Sequence, residues 1–313
     1  MIGQADAVRE PSGRAPGQAM RSRPVLQGTG VPHMSLYVQE TGPAGAPTIV
    51  FLHGGGGSGW MWQPQVDGLS DYHCLVPDLS EQGRSVDVKP FTIAGSAELI
   101  AELIRTRAHG GRAHVVGVSE GAQTTVALLA IAHDLVDHAV VSSAMVRPIR
   151  GAGMVGPGLI RWSFRLFVAP FRNIGWWTRL NMKRAAGVPD EYYWQFRQTF
   201  RELTESGFTN AMIENQRFRV PQGLDSVTAP TLIVVGRREY GTMRDSARDL
   251  ATALPGSLAC EVVHARKMSV AEEHNWNLTA PDLFTKMVRA WITGQELPAE
   301  LQPLQAVTGR RGA

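Results

Sequence analysis

Residues 112–129, RAHVVGVSEGAQTTVALL, constrain this chain most. A short β-branched run passes through Gly117-Val118-Ser119-Glu120-Gly121 straight into a helix-forming segment. A serine hydroxyl becomes a nucleophile only when it is exposed on a sharp turn beside a general base, and this strand-turn-helix pattern supplies the turn. Gly117 and Gly121 leave the backbone uncrowded there. The helix beginning after Ser119 points N–H groups and a positive dipole end toward any oxygen that gains charge beside it. Read without its context, the same pentapeptide is only an ordinary tight turn.

The context on the N-terminal side agrees. Thr48–Leu52 is a fully apolar strand ending in His53-Gly54-Gly55-Gly56-Gly57-Ser58-Gly59, and a helix over 60–69 and a second strand, His73–Pro77, follow in α/β fashion. Glycines let a backbone approach a substrate carbonyl, so the N–H of Gly55 or Gly56 can join that of Glu120 as a two-donor oxyanion hole. A phosphate cradle is the other functional reading of such a loop, but no Gly-Lys-Ser/Thr follows it. Without a function the loop would simply be a flexible glycine run.

On the C-terminal side the chemistry requires an acid and then a histidine, each following a later strand. Residues 230–236 form a strand whose first following carboxylate is Glu239. Residues 258–265 form the next, and His274 stands in the loop beyond it, ahead of Trp276 and a final amphipathic helix over 282–292. Glu272 and Glu273 are the other acids in reach, though direct neighbours of His274 are poorly placed to bond its ring. Of the nine histidines, His264 is the main rival, sitting near the end of the same strand. His53 is read as shaping the glycine loop.

Taken together, these residues resemble the α/β-hydrolase superfamily, of the lid-bearing kind that includes esterases, lactonases and carbon-carbon bond hydrolases. The resemblance spans about residues 35–293. It rests on His53-Gly54, Pro77-Asp78-Leu79 with Gly83-Arg84-Ser85, the elbow at 117–121, and His274-x-Trp276 through Pro281. It implies a mostly parallel eight-stranded sheet flanked by helices with an inserted helical lid. It also implies Ser119 as nucleophile, His274 as general base, and Glu239 as the acid that orients the imidazole. Glutamate departs from the family's usual aspartate, yet a buried carboxylate accepting the ring N–H meets the same need. The family's alternative acid position ends the strand over 137–141, where Ser142-Ser143-Ala144 offers no carboxylate.

A serine where epoxide hydrolases and haloalkane dehalogenases of this superfamily carry aspartate points to attack on a carbonyl. The expected substrate is a small or medium carboxylic ester. A lactone, a β-diketone-like carbon-carbon bond or cofactor-free haloperoxidase chemistry would use the same residues, and a ligand-binding sensor with negligible turnover is the reading from another class. No metal-ligand spacing is present, so neither a metal nor another cofactor is expected.

The chain of 313 residues predicts one catalytic domain, 25–145 and 226–294, interrupted by a lid over 146–225. A disordered arm over 1–24 and a flexible tail over 295–313 flank it. No stretch is long and apolar enough to cross a bilayer. Cys74 and Cys260 fall on strands expected to lie far apart, which favours a reducing cytoplasm. The oligomeric state stays open.

The lid holds twelve Lys and Arg against six acids, +6 on a chain of net +3. Such charges either form solvated faces or attract an anionic substrate or an anionic lipid surface. Nucleic acid is disfavoured because the charge is scattered through an aromatic cap. A lid must also supply apolar walls, and Trp162, Trp176, Trp177 and Trp194, with Trp60 and Trp276 outside it, are the pocket candidates.

Overall fold

The computed structural model describes residues 35–148 and 156–305. The arm read over 1–24 and the last residues of the tail lie outside that range. Eight strands form one sheet in the order β1-β3-β2-β4-β5-β6-β7-β8. They are β1 (Val38–Thr41), β2 (Thr48–Leu52), β3 (His73–Pro77), β4 (Ala113–Val118), β5 (Val136–Ser142), β6 (Thr231–Gly236), β7 (Leu258–Val262) and β8 (Leu301–Pro303). The six inner strands run parallel and the two edge strands antiparallel to their neighbours.

The helices are α1 (Gln63–Gly68), α2 (Ile93–Arg107), α3 (Glu120–Ala132), α4 (Pro157–Ser163), α5 (Gly175–Arg184), α6 (Tyr193–Glu202), α7 (Glu205–Arg217), α8 (Gly241–Ala253), α9 (Val270–His274), α10 (Trp276–Thr279) and α11 (Pro281–Ile292). Alternate side chains of each inner strand serve opposite faces. Val50, Leu52, Val115 and Ile233 pack with α2, α3 and α8, while Ile49, Phe51, Val116 and Val118 pack with α1 and α11. Burial on both faces is why these strands read as continuous apolar runs rather than alternating ones.

The expectation of a flexible tail over 295–313 is corrected by β8. Leu301–Pro303 pairs with β7, and Val263 N–H and Leu304 N–H donate to Glu300 O at 2.8 Å and Ala259 O at 2.9 Å. The tail caps an edge strand whose N–H and C=O groups would otherwise face outward, and Leu301 seats its side chain in the core on one face of the sheet. A three-residue strand with one buried side chain leaves little hydrophobic signal in its sequence.

Helices α4 to α7 form the insertion between β5 and β6. It is tied to the sheet domain at several points: Trp60 Nε1 donates to Thr199 Oγ1 at 3.0 Å, Ile93 N to Glu214 Oε2 at 2.9 Å, and Asn275 Nδ2 to Ala186 O at 2.7 Å.

The close approach of α3 to β2 explains the second elbow glycine. A Cβ on Gly121 would lie 2.1 Å from Leu52 O, and one on Gly117 would lie 2.4 Å from Gly121 O. Because the obstacles are backbone atoms, Gly121→Ala is expected to lower unfolding free energy by about 2–3 kcal/mol. A denaturant midpoint unchanged by this substitution would show that α3 can shift away at no cost.

Candidate active site

Parallel strands put their carboxyl ends on one edge of a sheet, and ligands bind outside that edge. Here the edge gathers the loop after β2, the loop after β3, Ser119 after β4, Ser143 after β5, Glu239 after β6 and His274 beyond β7. Ser119 has φ 54° and ψ −115°, a conformation a side chain rarely adopts. Its N–H donates to Ser142 O at 2.9 Å and its carbonyl accepts from Gln123 N at 3.0 Å. Strain on the order of 1–3 kcal/mol is thus held between a strand end and a helix start.

His274 Nδ1 lies 2.5 Å from Glu239 Oε1. The other carboxylate oxygen accepts from Ser143 Oγ at 2.7 Å and from Gly236 N at 3.1 Å. Three donors therefore hold a carboxylate whose side chain is fully buried, while the imidazole remains 16% exposed and faces the cavity. His274 closes the one-turn helix α9 rather than standing in an open loop. Ser269 and Glu272 cap that helix reciprocally, which fixes where its last residue points.

The rival groups are accounted for elsewhere. Glu272 serves the cap and Arg266, and Glu273 Oε2 accepts from Arg238 N at 2.5 Å. His264 packs against Trp276, and burial holds its pKa below the ordinary histidine value. Cys74 and Cys260 are free and buried on strands separated by four others. Burial, with the Asp71 charge adding, raises Cys74 to about 12, and burial raises Cys260 to about 11, so both stay as thiols.

Two further chains of bonds build the glycine loop. His53 Nε2 accepts from Leu79 N at 2.9 Å, so its Nδ1–H donates to Gly54 O at 2.9 Å. Burial depresses the His53 pKa against the pull of Asp78, which keeps this tautomer neutral. Asp78 accepts from Gly59 N at 2.7 Å and Arg84 N at 2.8 Å, joining the loops after β2 and β3. Of the two glycines expected as oxyanion donors, Gly56 is corrected: its N–H already donates to Gln82 Oε1 at 2.8 Å. Gly55 then remains as the loop's candidate, beside Glu120 at the start of α3.

Ser119 and His274 line one cavity of about 390 Å³, a volume suited to a small molecule. Its walls come from Phe196 and Phe200 of α6, Leu203 just past its end, and Phe208, Ala211 and Met212 of α7, the helical residues set at helical spacing. Among the expected tryptophans only Trp60 lines it. Trp162, Trp176 and Trp194 are exposed on outer faces, Trp177 packs on Phe171, and Trp276 is buried below, donating to Ser142 Oγ at 3.0 Å. Trp194 and Phe196 are two residues apart on one helix, so turning one inward turns the other out.

Among the described residues, the lid's cations also lie outside the cavity. Arg165 pairs with Glu205, Lys183 with Asp190, and Arg179 and Arg197 lie over Tyr193 and Trp194. Among the described residues the lining contains two carboxyl side chains, Glu81 and Glu120, and no Lys or Arg. The option of an anionic substrate held by lid cations thus finds no partner inside.

A mostly parallel sheet between helical layers, with a serine on a strained turn at its centre and a helical insertion above, defines the α/β-hydrolase architecture. The chain belongs to the Alpha/beta hydrolase family, whose profile matches residues 49–287. An AB hydrolase superfamily protein of Gibberella zeae is 29% identical over 86% of this chain and 88% of its own length. A carboxylesterase of Bacillus subtilis is 25% identical over 82% of this chain and 84% of its own. Among solved structures, the enol-lactonase of Burkholderia xenovorans superposes with a TM-score of 0.63 at 20% identity, covering 82% of this chain and 96% of that one.

Phe196 is among the lid aromatics open to lining the pocket, whereas Gln82, Glu81, Ser143, Phe200 and Phe208 line or brace the candidate site without being singled out by the sequence. Ser143 carried a signal in its position at the end of β5. Gln82 carried none, since a glutamine in a polar loop reads as solvated.

Proposed function

We propose that the protein is a serine hydrolase that cleaves a neutral, mainly apolar carboxylic ester through an acyl-enzyme on Ser119. The observation that carries this reading is the His274–Glu239 hydrogen bond, braced by Ser143 and Gly236, on a histidine that shares its cavity with Ser119. Ser119 Oγ attacks the ester carbon as His274 takes its proton. The oxyanion accepts from the N–H groups of Glu120 and Gly55, and collapse expels the alkoxide, which leaves with the proton from His274. Water repeats the sequence to release the acid. Glu239 holds the ring with Nδ1–H toward itself and stabilises the imidazolium.

A lactone is an internal ester and fits the same steps. The enol-lactonase relative, 3-oxoadipate enol-lactonase 1 of Acinetobacter baylyi, is 24% identical over 82% of this chain and supports testing lactones beside open-chain esters.

The lining narrows the substrate. A carboxylate entering the cavity would lose hydration and meet no Lys or Arg among the described residues, while Glu81 faces the same space. In a nitrophenyl ester series of matched length, the neutral ester is expected to exceed its ω-carboxylate counterpart by at least about thirtyfold in kcat/KM. Equal rates would contradict this selectivity, and no hydrolysis of any ester or lactone would contradict the function.

A further inference from the structure

Glu120 is an unusual residue to follow a nucleophile. Its carboxyl is buried beneath the glycine loop, where a Cβ on Gly55 would meet Oε2 at 3.0 Å. Oε1 accepts from Gln82 Nε2, whose own Oε1 accepts the Gly56 N–H at 2.8 Å. Among the described residues, Oε2 has no hydrogen-bond partner. A continuous buried chain therefore runs from the carboxyl through Gln82 to the backbone of the loop expected to bind the oxyanion.

We propose that the Glu120 carboxyl is a positioning group that, through Gln82, sets the Gly55–Gly56 backbone for catalysis only while it carries its proton. This rests on the hydrolase reading above. Ionised, the same group would put an unpaired negative charge under Gly55, next to the oxygen that must itself become negative.

The surroundings oppose ionisation. Glu214 of α7 adds a like charge, and Glu81 from the loop after β3 faces the same cavity. His53 of the glycine loop is held neutral by burial, and His274 lines the same cavity, bonded to Glu239. No Lys or Arg among the described residues lines the space. Burial, reinforced by Glu214 and opposed by the Gln82 bond, lifts the Glu120 pKa to about 7.

A carboxyl with a raised folded pKa makes the native state hold a proton that the unfolded chain has lost. Stability is then withdrawn as pH rises from the unfolded value near 4.5 to about 7. Glu120→Gln keeps the acceptor for Gln82 and removes the titration. The test compares wild type and E120Q in two readouts. The Tm difference in favour of E120Q is expected to widen by about 5 °C between pH 5 and pH 8. Wild-type kcat is expected to fall about fiftyfold from pH 7 to pH 9, while E120Q keeps its own pH 7 rate across that range.

A Tm difference independent of pH, or an alkaline decline retained in E120Q, overturns the proposal. Absence of wild-type turnover at every pH overturns the hydrolase reading and this proposal with it. A pH-independent Tm gap in an active enzyme overturns this proposal alone.

Discussion

Replacing Ser119 with alanine is expected to lower kcat toward a neutral nitrophenyl ester by about a millionfold while leaving KM within a few-fold. The expectation follows from the proposed division of labour, in which the cavity walls bind substrate and Ser119 forms the covalent bond. His274→Ala should cost about the same, and the Ser119→Ala/His274→Ala double variant no more than either single one, because a nucleophile without its base and a base without its nucleophile are equally idle. Steady-state kinetics on the three variants check this. Multiplying losses in the double variant would mean that the two residues do not act as one unit.

Glu239→Gln is expected to lower kcat by about ten-thousandfold with the fold intact. An amide in that place can offer its N–H to the ring and lock His274 in the wrong tautomer, and it carries no charge to balance the imidazolium. Its other edge would also meet donors from both Ser143 and Gly236, which now give to a carboxylate oxygen at 2.7 and 3.1 Å. Ser143→Ala removes only one of the three bonds and should cost no more than about tenfold. Comparable losses for Glu239→Gln and Ser143→Ala would indicate that the carboxylate is structural.

What the sequence made legible was whatever depends on backbone pattern. Apolar runs announced the central strands β2 and β6 most plainly, because a parallel strand buried on both faces carries few polar positions to confuse its reading. Glycines at 117 and 121 announced the elbow, since contacts of 2.4 and 2.1 Å from an added Cβ leave no other residue. Glu239 and His274 are candidates from strand order and the family resemblance together, and the structure brings their side chains within hydrogen-bond distance.

What stayed hidden depends on rotation and on side-chain partners. The lid helices are apolar on more than one face, so periodicity could not say that Phe196 and Phe208 turn inward while Trp176 and Trp194 turn out. Gly56 and Gly55 look alike in sequence, and only the bond from Gln82, 26 residues away, separates them. Strand β8 stayed hidden because it is three residues long and buries only Leu301 of them, too little for a periodic signal.

Intact-mass labelling with a fluorophosphonate tests the central claim most directly, because it reports an activated serine whatever the natural substrate. The account predicts one adduct on the wild-type protein, none on Ser119→Ala, and markedly slower labelling of Glu239→Gln. No adduct on folded wild-type protein, or an equal adduct on Ser119→Ala, would contradict it.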